Sequence, residues 1–188
     1  SEDSSPTPFT LTLDAVDANS DPISWSISTP ASKGIASVST GTATSKSINY
    51  TPNVNYNGPD VFVVEARANG LVDTITVNVT VSAVNDPPAI TEIAPVIVNM
   101  SEDSVPTAFL QTLNATDPEG GDLTWSISRV ASNGIAAVTG IGPSKAISYT
   151  PVLNFSGTDN FDVTVTDSTG LSDTIQVDVV IASIDDPP

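Results

Sequence analysis

The sequence predicts an all-β protein built as two tandem seven-stranded Greek-key β-sandwich domains. Three observations predict it. The chain repeats itself in order, with an offset of 99 or 100 residues between copies. Each copy reads as short runs of alternating apolar and polar residues, the signature of strands half-buried on one face. Valine, threonine, serine and asparagine dominate while good helix formers are scarce, and 15 Pro and 11 Gly supply the breaks that many short strands need.

The repeat is plain in four segments. "SEDSSPTPFTLTLDAVD" (Ser1–Asp17) returns as "SEDSVPTAFLQTLNATD" (Ser101–Asp117), and "WSISTPASKGIASV" (Trp25–Val38) returns as "WSISRVASNGIAAV" (Trp125–Val138). "INYTPNVNYNGPDVF" (Ile48–Phe62) matches "ISYTPVLNFSGTDNF" (Ile147–Phe161), and "GLVDTITVNVTV" (Gly70–Val81) matches "GLSDTIQVDVVI" (Gly170–Ile181). In the first copy the strands fall at Thr10–Leu13, Ile23–Ile27, Ala36–Ser39, Ser47–Thr51, Val61–Ala66 and Thr74–Val81. The last alternates strictly, which places Ile75, Val77, Val79 and Val81 on one buried face. A seventh strand, Pro95–Met100, opens the second copy and has no counterpart in the first. Seven strands in about 100 residues suit a two-sheet sandwich. Trp25, Trp125, Phe62 and Phe161 are expected to fill the two cores.

"VNDPP" (Val84–Pro88) and "IDDPP" (Ile184–Pro188) close the two copies. Proline cannot continue a strand ladder, and it stiffens the chain by fixing its own φ and restricting the residue before it. The expected domains are therefore 1–88, lacking its opening strand, and 89–188. A flexible tether would be Gly/Ser-rich, and this connection is not. The abrupt start at "SEDS", with no signal peptide or membrane span, reads as a piece of a longer chain.

Charge narrows the function. With 22 Asp and Glu against 5 Lys and Arg, the net charge is −17, which repels nucleic acid and anionic membranes. There is no Cys and no His, so thiolate sites, Cys/His zinc sites and His-based catalysis are excluded. The acids are either a solvated surface or a binding set for hard cations. Their placement favours the second. They recur at the start of each copy (Glu2 and Asp3; Glu102 and Asp103) and before the tryptophan strand (Asp17, Asn19, Asp21; Asp117, Glu119, Asp122). They recur again after a turn glycine (Asp60; Asp159) and at the exit (Asn85 and Asp86; Asp185 and Asp186), and Asp167 adds one in the second copy. Loops gather at the ends of a sandwich, where unpaired carboxylates repel by several kcal/mol at about 4 Å near a protein surface. Ca²⁺ reverses that sign, taking about 6–8 oxygens in irregular geometry, whereas Mg²⁺ wants a tighter octahedron. No single-loop EF-hand pattern is present.

The segments "ATDPEGGDLTWSI", "ISYTPVLNFSGTDNFDVTVTDSTGLSDT" and "VNDPP" resemble the cadherin-like tandem repeats of large secreted bacterial adhesins, also classed among bacterial Ig-like repeats. The resemblance covers nearly the whole chain, once per copy. It implies cadherin/Ig-like sandwiches that bind calcium where consecutive repeats join. Glu2, Asn85, Asp86, Asp117, Glu119 and Asp167 are the implied ligands at that joint, with Asp60 at the mid-domain acid position. Glu102, Asp159, Asp185 and Asp186 would repeat the role toward a further repeat. Two departures weaken the set: Ala68 stands where the second copy has Asp167, and Ala83 and Ser183 stand where cadherin linkers carry another acid.

The expected function is a calcium-rigidified spacer or adhesion module of an extracellular or cell-surface bacterial protein. Its expected partners are neighbouring repeats of the parent chain, with homophilic or polysaccharide contacts, no nucleic acid and no membrane insertion. The alternative is a calcium-independent polysaccharide-binding module, for which Tyr50, Tyr56, Tyr149 and Phe155 are the stacking candidates, although their repetition fits core or turn packing better. No enzyme is expected: two carboxylates could serve a glycosidase, but the acids recur in turns of both copies and no nucleophile–base pair is present. Five N-x-S/T sequons are read as chance in an Asn/Ser/Thr-rich chain.

Overall fold

The computed structural model describes residues 1–2, 9–104 and 107–185. Among them are fourteen strands and no helix. The chain forms two units, Ser1–Val84 and Asn85–Pro188. The border precedes the proline pair because Asn85 and Asp86 are hydrogen-bonded into unit 2.

Unit 1 contains β1 (Leu11–Asp14), β2 (Ser24–Thr29), β3 (Gly34–Val38), β4 (Ser45–Pro52), β5 (Gly58–Ala68) and β6 (Leu71–Val81). They make two antiparallel sheets, β1-β4-β3 and β2-β5-β6. Unit 2 repeats this with β9 (Gln111–Thr116), β10 (Thr124–Arg129), β11 (Gly134–Ala137), β12 (Ser144–Pro151), β13 (Gly157–Thr166) and β14 (Ser172–Ala182), and adds β7 (Ala89–Ile90) and β8 (Val96–Ser101). Its sheets run β7-β9-β12-β11 and β8-β14-β13-β10. The expected opening strand, Pro95–Met100, is β8 starting one residue later, because Pro95 has no N–H for a ladder; β7, on the other sheet, was not expected. The pairing of β8 with β14 is parallel, Val177 opposite Val96 through Ala182 opposite Ser101.

The two cores match. Tyr50 stacks on Phe62 at 6.0 Å between ring centroids, and Tyr149 on Phe161 at 5.9 Å, while Phe9 and Phe109 meet these rings at larger angles. Such offset pairs add about 0.5–1.5 kcal/mol beyond burial. Phe62, Phe161 and Trp125 are buried as expected, but Trp25 is only half-buried. The β6 face also departs from expectation. Val77, Val79 and Val81 are buried, whereas Ile75 is 48% exposed and its counterpart Ile175 only 3%. The cause is β8, which flanks β14 and has no equivalent beside β6 among the described residues.

The sharpest local difference is the last hairpin. Asn69 and Gly70, both at positive φ, join β5 to β6 in the tight turn that an Asn-Gly pair favours. Unit 2 replaces this with the longer Asp167–Leu171 turn, because "DSTG" has one more residue than "ANG".

Candidate metal centre

The acids fall into three environments. The first is the middle of each unit. Asp60 follows Gly58 at the start of β5 and points into the core, where five donors meet it: Ser32 N, Ser32 Oγ and Val61 N at Oδ1, and Lys33 N and Tyr50 Oη at Oδ2. Asp159 takes Ser132 N, Asn133 N, Asn160 N and Tyr149 Oη in the same way. Burial pushes both carboxyls up, but these donors outweigh it and hold both below the usual Asp value. Burial and donation to the carboxylate push both tyrosine hydroxyls well above theirs. A carboxylate has about four lone-pair sites. Those of Asp60 and Asp159, both expected calcium ligands, are taken up by protein donors. They pin the loop after β2 or β10 to the β-sandwich core. A methyl group on Gly34 would meet Thr51 O at 2.5 Å and the Tyr50 ring at 2.6 Å, so glycine makes room for the tyrosine.

The second environment is the exit of each unit. Glu2 is buried; its N–H donates to Ser82 O and its Oε1 accepts from Val84 N. Glu102 does the same with Ala182 O and Ile184 N. One carboxylate oxygen thus clamps the exit segment. The other oxygen of Glu2 is buried without a hydrogen-bond partner. Asp185 is exposed nearby in sequence, and Asp3 and Asp186 lie outside the described residues.

The third environment, at the opposite end of β14, gathers the most oxygen. Asp117 follows β9, and its Oδ1 accepts from Glu119 N at 3.1 Å, a local turn bond. Glu119 Oε2 accepts from Asp86 N at 2.9 Å. Asn85 Nδ2 donates to Asp86 O at 3.0 Å and to Asp167 Oδ2 at 2.6 Å. Asp167 Oδ1 is fully used by its own turn, accepting from Thr169 N, Thr169 Oγ1, Gly170 N and Leu171 N. Burial pushes the Asp167 carboxyl up, but the Asn85 and Thr169 donors prevail and lower it. Five of the expected ligands, Asn85, Asp86, Asp117, Glu119 and Asp167, therefore join one hydrogen-bonded network within unit 2.

The network fits a hard cation in one respect and lacks one in another. Asp117 Oδ2 is buried without a hydrogen-bond partner. Leaving such an acceptor unmade costs about 1–3 kcal/mol, more for a charged group. Arg67 pairs with Glu65 and Arg129 with Asp162, so neither of these cations pairs with Asp117. With every donor an oxygen and no Cys or His in the chain, the set suits Ca²⁺ or Mg²⁺ and not a soft metal. Among the described residues, however, no three acidic side chains converge closely enough to hold a metal.

Sequence reasoning missed the tyrosine partners of Asp60 and Asp159, and it missed Asp173, whose Oδ2 accepts from Ile90 N at 2.8 Å and ties β7 down. Recurrence of the Tyr–Asp pair at a ten-residue spacing was the available signal. Tyr50 and Tyr149 are buried, so neither offers a stacking platform for sugars.

The chain belongs to the bacterial Ig domain family, which it matches over residues 1–80 and again over 85–180. Its fold is cadherin-like. Protocadherin gammaB7 domains EC3-6 align with 99% of this chain and 45% of that one at 19% identity and a TM-score of 0.56. Human CDH23 domains EC21-23 align with 95% and 70% at 18% identity and a TM-score of 0.54. Protocadherin Gamma B7 domains 1–4 align with 97% and 48% at 16% identity and a TM-score of 0.55. At such identities the likeness is one of fold, and the chain spans less than half the length of the protocadherin structures. No curated protein matches it. No helix among the described residues is long and apolar enough to cross a membrane.

Proposed function

We propose that the chain is a calcium-binding, non-catalytic spacer segment of an extracellular bacterial surface protein of the adhesin kind. One observation carries the proposal: the buried, unpartnered Oδ2 of Asp117, at one end of the network running through Glu119, Asp86, Asn85 and Asp167. Calcium supplies the positive charge that this oxygen lacks. Asp117, Glu119, Asp86 and the Asn85 carbonyl would hold it, with the second oxygen of Asp167 exchanging its Asn85 donor for the ion. Glu102 and Asp185 would serve a following repeat of the parent chain. The cadherin-like fold and the family support this reading; the ion preference rests on ligand chemistry.

The mechanical consequence is linkage. Residues 85 and 86 follow unit 1 directly in the chain, so an ion that orders them restrains the linker. At a calcium concentration of 100 times Kd, binding stabilises the folded state by about 2.7 kcal/mol. For a unit of this size that raises Tm by roughly 10–20 °C. The test is a thermal melt in EDTA, then in millimolar CaCl₂, with MgCl₂ as control. A calcium-selective rise supports the proposal; equal melts in all three refute it.

A further inference from the structure

The segment that opens unit 2 is held on it by protein donors. Asp86 N donates to Glu119 Oε2 at 2.9 Å, Ile90 N to Asp173 Oδ2 at 2.8 Å and Thr91 N to Asn114 O at 2.9 Å. Glu92 accepts from the backbone N–H and the side-chain amide of Asn114. Pro88 is fully buried, Ile90 packs against the core, and β7 pairs with β9. Residues 85–92 therefore form a strap that runs from the acidic end of the sandwich onto β9.

Asn85 begins the strap, and its side chain is a donor among acids. Its Nδ2 donates to Asp167 Oδ2 at 2.6 Å and to Asp86 O at 3.0 Å. The other oxygen of Asp167 is used by its own turn, which leaves Oδ2 to Asn85. An amide NH₂ carries partial positive charge, and a hydrogen bond from it to a carboxylate is charge-assisted. It thus joins a carboxylate oxygen to a linker carbonyl, the two kinds of ligand that a hard cation takes. An ion that takes Asp167 Oδ2 has to displace this amide. The second copy carries Asp185 at the position of Asn85, a carboxylate of the same shape with no amide to donate.

We infer that Asn85 is a positioning residue that latches the strap onto unit 2 when no ion is bound and sets calcium affinity by competing for Asp167. The latch stands on the hydrogen bonds alone; the competition rests on the calcium reading above. Calcium then does not fasten a loose strap. It replaces one fastening with a stronger one.

The test uses the whole chain and three readouts. In EDTA, hydrogen exchange followed by mass spectrometry should show the amides of Asp86 and residues 89–92 exchanging about tenfold or more faster in Asn85→Ala than in the parent chain, the loss of one hydrogen bond to a charged group. Amides of β14 should be unchanged, which checks that the unit is folded. Asn85→Asp should loosen the strap in EDTA by as much, because a carboxylate there repels Asp167. In calorimetric titration, however, Asn85→Asp should bind calcium at least tenfold more tightly than the parent chain. A merely structural role would weaken both readouts together. Equal exchange of the parent chain and Asn85→Ala in EDTA would overturn the latch. Calcium binding by Asn85→Asp no tighter than that of a calcium-binding parent would overturn the competition. Faster exchange in Asn85→Ala with no calcium binding by the parent chain would remove the calcium reading and uphold the latch.

Discussion

Asp159→Asn separates the structural acids from those proposed to bind an ion. Four donors converge on this carboxylate: three backbone amides and the Tyr149 hydroxyl, at 2.7–3.0 Å. Asparagine keeps one acceptor oxygen and turns an NH₂ group toward the remaining donors, so at least two lose their acceptor. Each such loss costs about 1–3 kcal/mol when buried, and the charge assistance goes too. The expected destabilisation of unit 2 is about 3–5 kcal/mol, which for a domain of this size lowers Tm by roughly 15–30 °C. Urea unfolding followed by Trp125 fluorescence, in a Trp25→Phe background, isolates unit 2. The loss should be the same in EDTA and in calcium, and the calcium-induced rise in stability should survive. A shift worth less than about 1 kcal/mol would refute the anchoring role. So would a calcium-free melt left unchanged while the calcium response disappears, because Asp159 would then be a ligand.

Other consequences follow from the same geometry. Because the folded carboxyls of Asp60 and Asp159 lie below their unfolded value of about 3.9, the stability they add is present above about pH 4 and lost as pH falls through their folded values. Urea midpoints should therefore drop below pH 4, and Asp159→Asn should flatten that drop for unit 2. Gly134→Ala places a methyl group against the Tyr149 ring and hydroxyl. It should cost unit 2 roughly 2–4 kcal/mol and restore ordinary titration to Tyr149, followed by ultraviolet absorbance. Ile175→Ala should cost about 2–5 kcal/mol in unit 2, while Ile75→Ala, at the open edge, should cost under about 1 kcal/mol in unit 1; equal costs would mean that the β6 edge is covered in solution.

Most strands were legible because alternation is a local signal: Val77, Val79 and Val81 face inward as their spacing dictates. What failed was anything that depends on a neighbour from far along the chain. Ile75 has the right spacing but no strand beside it, so it stays half open. Asp60 and Asp159 look like loop acids in sequence, yet several of their donors come from residues 26 to 28 positions earlier, in the loops after β2 and β10. Asp167 was legible as an acid but not as a turn organiser, since four of its five acceptor bonds arise from its own extended turn. Asn85, Asp86, Asp117 and Glu119 were grouped in sequence only through the resemblance to cadherin-like repeats, and their hydrogen bonds link them within unit 2. Those acids sit in loops at one end of unit 2, where the Greek-key connections return.

The central claim is that Asp117 and its network take calcium, and calorimetric titration of EDTA-stripped protein with CaCl₂ tests it most directly. The parent chain should bind with measurable affinity, Asp117→Asn should lose that binding while melting normally in EDTA, and MgCl₂ should titrate more weakly. Absence of calcium binding to the parent chain, or full binding by Asp117→Asn, would contradict it.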